Sequence, residues 1–358
     1  MTNNLTISEF NLIQVVGRSC FSPTSVYLSK RRKSSKLCAI RATDLESCSL
    51  LSLAYIQHEL VVSRSFCHPN VLIHENAFVD CRNLYVVTEM MTFGSCSDLI
   101  EAHFKYGLDE TVISHILKGI LKALQYIHQL GFIHRNVKAS HILLSDNGVV
   151  KLCGHRNVIT FLSKEYRIQK VYDFPKHDSM LLPWLSPEVL KQDMEGYTSQ
   201  SDIYSLGITA CELANGHAPF TDMPCTQMLL EKLNGTVPCL LDETTVPPTE
   251  DPSSPENNEQ QMVSRSRKFS PNFHKFVFSC LQFQPSSRPT ASEALCDLFI
   301  EQTILTPIDL AEKLKPLVPI TSFNPDKDLL PSIDIKVLED KIASVNLTDV
   351  SWDFDVTG

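Results

Sequence analysis

Between residues 10 and 91 apolar positions come in short alternating runs: FNLIQVVG (10–17), SVYLSK (25–30), KLCAIRAT (36–43) and NLYVVTEMM (83–91). Rich in Val, Ile, Tyr and Thr and bounded by turn residues, they predict β-strands. LLSLAYIQHELVVSR (50–64) instead has helical apolar spacing and stops before the turn signal Cys67-His68-Pro69-Asn70. From about residue 97 the period turns helical. ETVISHILKGILKALQYIHQLG (110–131) predicts a long amphipathic helix ended by Gly131. SDIYSLGITACELANG (201–216) is apolar almost all round, the pattern of a buried central helix. SPNFHKFVFSCLQFQPSSRPTASEAL (270–295) resumes helical packing. Residues 242–268, rich in Pro, Ser, Glu and Asn, are expected to be a disordered insert. A Pro-interrupted tail follows Leu305 and carries Ser351-Trp352-Asp353-Phe354. The expected fold class is α+β, with a small β-rich lobe (8–89), a larger helical lobe (92–302) and a tail (303–358).

Composition narrows the function classes. The 358-residue chain has 32 basic and 41 acidic residues, a net charge of −9, which argues against nucleic acid as the main partner. The basic run Lys30-Arg31-Arg32-Lys33 reads as a solvated hairpin tip. The twelve cysteines show no CxxC spacing and lie in apolar runs, so free buried thiols in a reducing compartment are expected. No apolar run reaches the roughly 18 residues of a membrane span, and the N-terminus lacks the pattern of a secretory signal. These features point to the cytosol, or to cytosol and nucleus.

The lobe order is that of protein kinases, and each chemical slot of a kinase can be inspected. GFIHRNVKASHILL (131–144) matches HRDLKxxN, a highly specific pattern. Asn136 stands where the aspartate base belongs, and a neutral amide cannot take the substrate hydroxyl proton. His141 replaces the metal-binding asparagine; Lys138 is kept. VVKLCGHRN (149–157) sets Gly154-His155-Arg156 against Asp-Phe-Gly, so the metal-binding carboxylate is missing as well. Magnesium needs oxygen ligands. The glycine-rich loop, VVGRSCFSPTSV (15–26), retains Gly17 and Val26, with Ser19, Phe21 and Ser22 in the region of the other glycines. Arg41 occupies the lysine slot of the third strand, with Glu59 as its expected partner. Ser186-Pro187-Glu188, Asp202, Gly207 and Arg288 complete the structural landmarks of the helical lobe, with Glu188 and Arg288 expected to form a buried ion pair. Lys138, His141 and Arg156 could supply the positive charge that metal ions normally bring to ATP phosphates. Metal-independent nucleotide binding is therefore expected, at a site comprising Gly17, Val26, Ala39, Arg41, Glu59, Glu89, Met91, Lys138, His141, Leu143 and Arg156.

HRNVKASHILL (134–144), the stretch 171–242 that includes PWLSPEVL and TQMLLEKLNGTVPCLLD, and the late Trp352-Asp353-Phe354 together resemble the STRAD adaptor pseudokinases. The resemblance covers roughly residues 8–358. It implies an adaptor that binds ATP without metal or hydrolysis. Its partners would be a client, the serine/threonine kinase called liver kinase B, and a helical-repeat scaffold, calcium-binding protein 39. The resemblance implies that the trio would activate the client allosterically and draw it from nucleus to cytoplasm. The family commonly ends on Trp-Glu-Phe, whereas here Asp353 is central and Asp355, Val356, Thr357 and Gly358 follow. Trp352, Asp353 and Phe354 are the expected partner-binding residues, two aromatics on an acidic tail suited to filling a pocket. A weak kinase using unusual residues and a scaffold that ignores nucleotide are the competing readings.

Overall fold

The computed structural model describes residues 5–18, 23–163, 166–167, 170–174, 179–246, 259–305, 309–314, 317 and 320. The expected strands form one antiparallel sheet: β1 (Phe10–Arg18), β2 (Thr24–Arg31), β3 (Leu37–Asp44), β4 (Asn76–Asp80) and β5 (Asn83–Glu89), in the order β1-β2-β3-β5-β4. The helix α1 (Leu50–Ser63) lies between β3 and β4, capped by the Ser49 hydroxyl on the Ser52 amide. The sequence pattern missed β4. The basic run closes the β2–β3 hairpin, where Lys33 pairs with Glu9 at 3.2 Å and Arg31 covers the Phe10 ring.

The short strand β6 (Gly94–Ser95) leads into the helical lobe with α2 (Cys96–His103) and α3 (Glu110–Gln129). Gly131 stops α3 in the left-handed region at φ 85°, as its position predicts. The strands β7 (Phe132–Ile133), β8 (Ile142–Leu144) and β9 (Val150–Leu152) frame the catalytic-loop segment. Beyond them come α4 (Pro187–Leu190), the central α5 (Gln200–Asn215), α6 (Cys225–Leu233), α7 (Glu259–Ser266), α8 (Pro271–Cys280), α9 (Ala291–Leu295), α10 (Leu298–Leu305) and α11 (Leu310–Lys313). Every residue of α5 from Ser201 to Asn215 is buried, as its all-round apolarity predicts. The main core joins α3, α5, α8 and α10 with residues of α1, α2, β8 and β9.

Three expectations need correction. The ends of the insert are ordered by specific bonds. Asp242 is fully buried and accepts from the Phe269 amide at 2.9 Å, Arg267 donates to the Leu241 carbonyl at 2.7 Å, and residues 259–266 are helical. A polar composition does not prevent folding where each polar group finds a partner; residues 247–258 lie outside the described residues. The start of the tail joins the core, with Leu310 and Leu314 buried against the helical lobe. Among the eleven described cysteines, all free, Cys67, Cys81, Cys225, Cys239 and Cys296 are exposed rather than buried.

Candidate functional site

The site is assembled from α5 outward. Asp202, fully buried at the start of α5, accepts from the amides of His134 (2.8 Å) and Arg135 (2.7 Å) and lies 2.8 Å from His128 Nε2. Those bonds hold the backbone turn at Arg135, whose φ is 59°. One helical face further on, Glu212 accepts from the Ala139 amide at 3.0 Å and from the Trp184 indole at 2.8 Å. Thr209 donates to the Val137 carbonyl at 3.2 Å. The loop 134–141 is thus pinned to α5 along its length. The Arg135 side chain donates to the carbonyls of Asn157 (2.6 Å) and Asp173 (2.9 Å), tying both ends of the following segment to the same loop.

Asn136, His141 and Gly154 meet in space. Gly154 has φ 83°, and a Cβ added to it would lie 2.7–2.9 Å from the ring atoms of His141. The imidazole therefore fills the volume that a side chain at residue 154 would need. His141 Nδ1 donates to the Asn136 carbonyl at 2.9 Å, which fixes the tautomer. Asn136 Nδ2 donates to the Gly154 carbonyl at 3.4 Å, while its Oδ1 is buried with no partner among the described residues. Burial, then the charge of Lys138, pushes His141 down to about 3. His141 is therefore neutral near pH 7, which corrects its expected part in a cationic cluster. None of the three positions offers a free carboxylate, so this donor set does not fit magnesium.

Arg41 and Glu59 meet at 2.9 Å, the pairing read from the sequence. Burial opposes both charges, but their mutual attraction outweighs it, holding Arg41 above and Glu59 below its ordinary value. Arg156 is stacked on the Tyr55 ring of α1 at 4.5 Å, and Lys138 faces the Trp184 ring at 5.4 Å. Gly17 pairs with Val26 across the β1–β2 hairpin, and Ala39 and Arg41 pair with Thr88 and Val86 across β3 and β5. Glu89 is drawn into an ion pair with Lys151 at 2.7 Å. Met91 is buried, and Leu143 sits on β8. Ser19, Phe21, Ser22 and the Trp352-Asp353-Phe354 motif lie outside the described residues.

Sequence reasoning missed the column of rings behind this site. His155, at the phenylalanine slot, meets Phe66 at 5.2 Å, His134 at 5.7 Å and His74 at 6.4 Å between ring centroids. Its Nδ1 lies 3.1 Å from the Ser63 hydroxyl of α1, while His74 Nδ1, His155 Nε2 and both nitrogens of His134 are buried with no hydrogen-bond partner among the described residues. Burial is the largest cause lowering all three, His74 and His134 to about 4. Below the site, Arg288 makes a two-pronged pair with Glu188 at 2.7 and 2.8 Å, as the landmarks predict.

Residues 10–300 match the family described as Protein kinase domain. Over 335 residues the chain is 45% identical to STE20-related kinase adapter protein alpha of Mus musculus, covering 88% of this chain and 78% of that protein. The Gallus gallus alpha protein is 44% identical over 354 residues, 93% of this chain and 91% of its own length. This chain belongs to the STE20-related kinase adapter family. The Homo sapiens beta protein is a further relative, 39% identical over 317 residues, 83% of this chain and 76% of its own. For a kinase-fold adapter, the division of the site is informative. The bonds from Asp202, Glu212 and Arg288 hold the kinase framework around Asn136, His141 and Gly154.

Proposed function

We propose that this chain is a catalytically inactive adapter that binds a serine/threonine kinase client and biases it allosterically towards its active state. The client we assign is liver kinase B, held together with a helical-repeat scaffold of the calcium-binding protein 39 type. The observation that carries the reading is the His141 ring packed on Gly154, beside Asn136 at the base position. Without a base or oxygen ligands for metal, phosphoryl transfer has no support. The closed Arg41–Glu59 pair and the intact Glu188–Arg288 pair support a fold kept for its surface. ATP would sit between the lobes without metal and without being hydrolysed, its phosphates met by Arg41, Lys138 and Arg156. The adapter would act in cytoplasm and nucleus and help to retain its client in the cytoplasm.

Such an adapter must bind the active client more tightly than the inactive one, or it shifts nothing. Reconstitution tests this directly. Purified chain, client and scaffold are mixed and client activity is measured. Stimulation is expected with wild type and a reduced stimulation with Arg156→Ala; a client equally active with and without the chain rejects the reading. Trp352→Ala is expected to abolish scaffold pull-down.

A further inference from the structure

The basic run Lys30-Arg31-Arg32-Lys33 leads directly into Ser34 at the β2–β3 turn. We propose that Ser34 is a phosphorylation site for an arginine-directed protein kinase. Kinases of that class carry carboxylates in the substrate groove, and these pair with guanidinium groups two and three residues before the acceptor hydroxyl. Arg32 and Arg31 stand at those two distances from Ser34. Residues 32–36, the tip of the hairpin, are all exposed.

The same spacing recurs in the chain, and the fold separates its occurrences. An arginine precedes a serine by three residues at Arg31 and Ser34, at Arg32 and Ser35, and at Arg267 and Ser270. The last pair is closed to an enzyme. Ser270 caps α8 by accepting from the Phe273 amide at 3.2 Å and donates to Glu110, while the Arg267 guanidinium is engaged by the carbonyls of Leu241, Tyr106 and Ala214. For Ser35 the nearer cation is Lys33, a point charge without the guanidinium fork, and it pairs with Glu9 at 3.2 Å. Ser34 therefore has the arginine pair and the exposure together. A kinase takes its acceptor in an extended chain, so the tip must straighten. It is held by the backbone bonds from Ser35 to the Arg31 carbonyl (2.8 Å) and from Arg31 to the Lys36 carbonyl (3.0 Å), which water replaces at the surface. Straightening also releases Ser35 from its left-handed φ of 53°.

On the modifying enzyme the Ser34 hydroxyl oxygen attacks the γ-phosphorus of ATP. The new O–P bond forms as the bond to the β–γ bridging oxygen breaks. ADP leaves with that electron pair, and the hydroxyl proton passes to the enzyme's catalytic carboxylate. The ester adds a charge of about −1.5 to −2. It stands between Lys33 and Lys36, so it competes for ammonium groups that otherwise pair with Glu9 at 3.2 Å and Glu75 at 2.8 Å.

The folded full chain is incubated with ATP, magnesium and the catalytic subunit of cyclic-AMP-dependent protein kinase as the arginine-directed probe. An acid-directed casein kinase is the counterpart, and sites are mapped by fragmentation mass spectrometry at low conversion. Phosphate on Ser34 with the first enzyme, and none there with the second, is expected. Ser34→Ala is expected to remove the incorporation. The initial rate is expected to fall at least about tenfold in Arg32→Gln, for the loss of one charge-assisted pair. Both changes fall on exposed turn residues, and an unchanged melting temperature shows that the fold is kept. No phosphate on Ser34 in wild type, a preference for Ser35 or Ser270, or an unchanged rate in Arg32→Gln overturns the assignment. Incorporation at the wild-type rate in Ser34→Ala does the same.

Discussion

His141 and Gly154 share one volume, and each constrains the other. Replacing Gly154 by Asp places a carboxylate there but puts a Cβ into the imidazole and a side chain at φ 83°. Gly154→Asp alone is expected to cost about 1–3 kcal/mol of stability, read as a lowered urea midpoint. Adding His141→Asn is expected to recover much of that loss, because it removes the overlap. Additive losses in the double-mutant cycle would mean that the two sites do not interact. The sequence revealed both substitutions but not their contact, which depends on a left-handed turn that brings the two segments together.

The neutral histidines make a second prediction. The folded pKa of His134 lies at about 4, below its ordinary value of 6.5. Between those values the unfolded chain binds more protons, so stability rises with pH there. The contribution is complete above about pH 6.5 and is lost as pH falls towards 4, on the order of 3 kcal/mol for this group alone. Burial lowers His155 in the same direction. Urea midpoints at pH 7.5 and pH 5 are expected to differ less in His155→Leu than in wild type. An equal pH dependence in the two proteins would remove His155 from the effect.

At the scale of elements, α5 is the beam from which the site hangs. Its burial was legible because apolar residues fall on every face, and among its polar residues Asp202, Thr209 and Glu212 are groups that grip the catalytic loop. The strand β4 was not legible because NAFVD mixes turn-forming and strand-forming residues, and its pairing with β5 defines it. The ends of the insert were misread for a related reason: their polarity resembles disorder until Asp242 and Arg267 find partners. The Glu188–Arg288 pair joins α4 to the loop before α9, with the arginine side chain fully enclosed. Arg288→Met is expected to cost about 3–5 kcal/mol by leaving Glu188 buried and unpaired. Adding Glu188→Leu should return part of that loss, measured by chemical denaturation.

At the scale of the whole molecule, the two lobes meet through bonds that need no metal. His155 reaches Ser63 of α1, Arg156 stacks on Tyr55 of the same helix, and His58 Nε2 lies 2.7 Å from the Val158 carbonyl. Nucleotide between the lobes would add to this framework through Arg41, Lys138 and Arg156. ATP is expected to raise the melting temperature equally with EDTA and with magnesium, by an amount that shrinks in Arg41→Ala. A rise seen only with magnesium would contradict the donor set at Asn136, His141 and Gly154.

The interlocked His141 and Gly154 also bear on which substitutions the fold tolerates. Change at either position alone carries a cost, because an aspartate at 154 meets the imidazole and an asparagine at 141 leaves the glycine without its packing partner. The identities of the two residues are thus coupled by sterics.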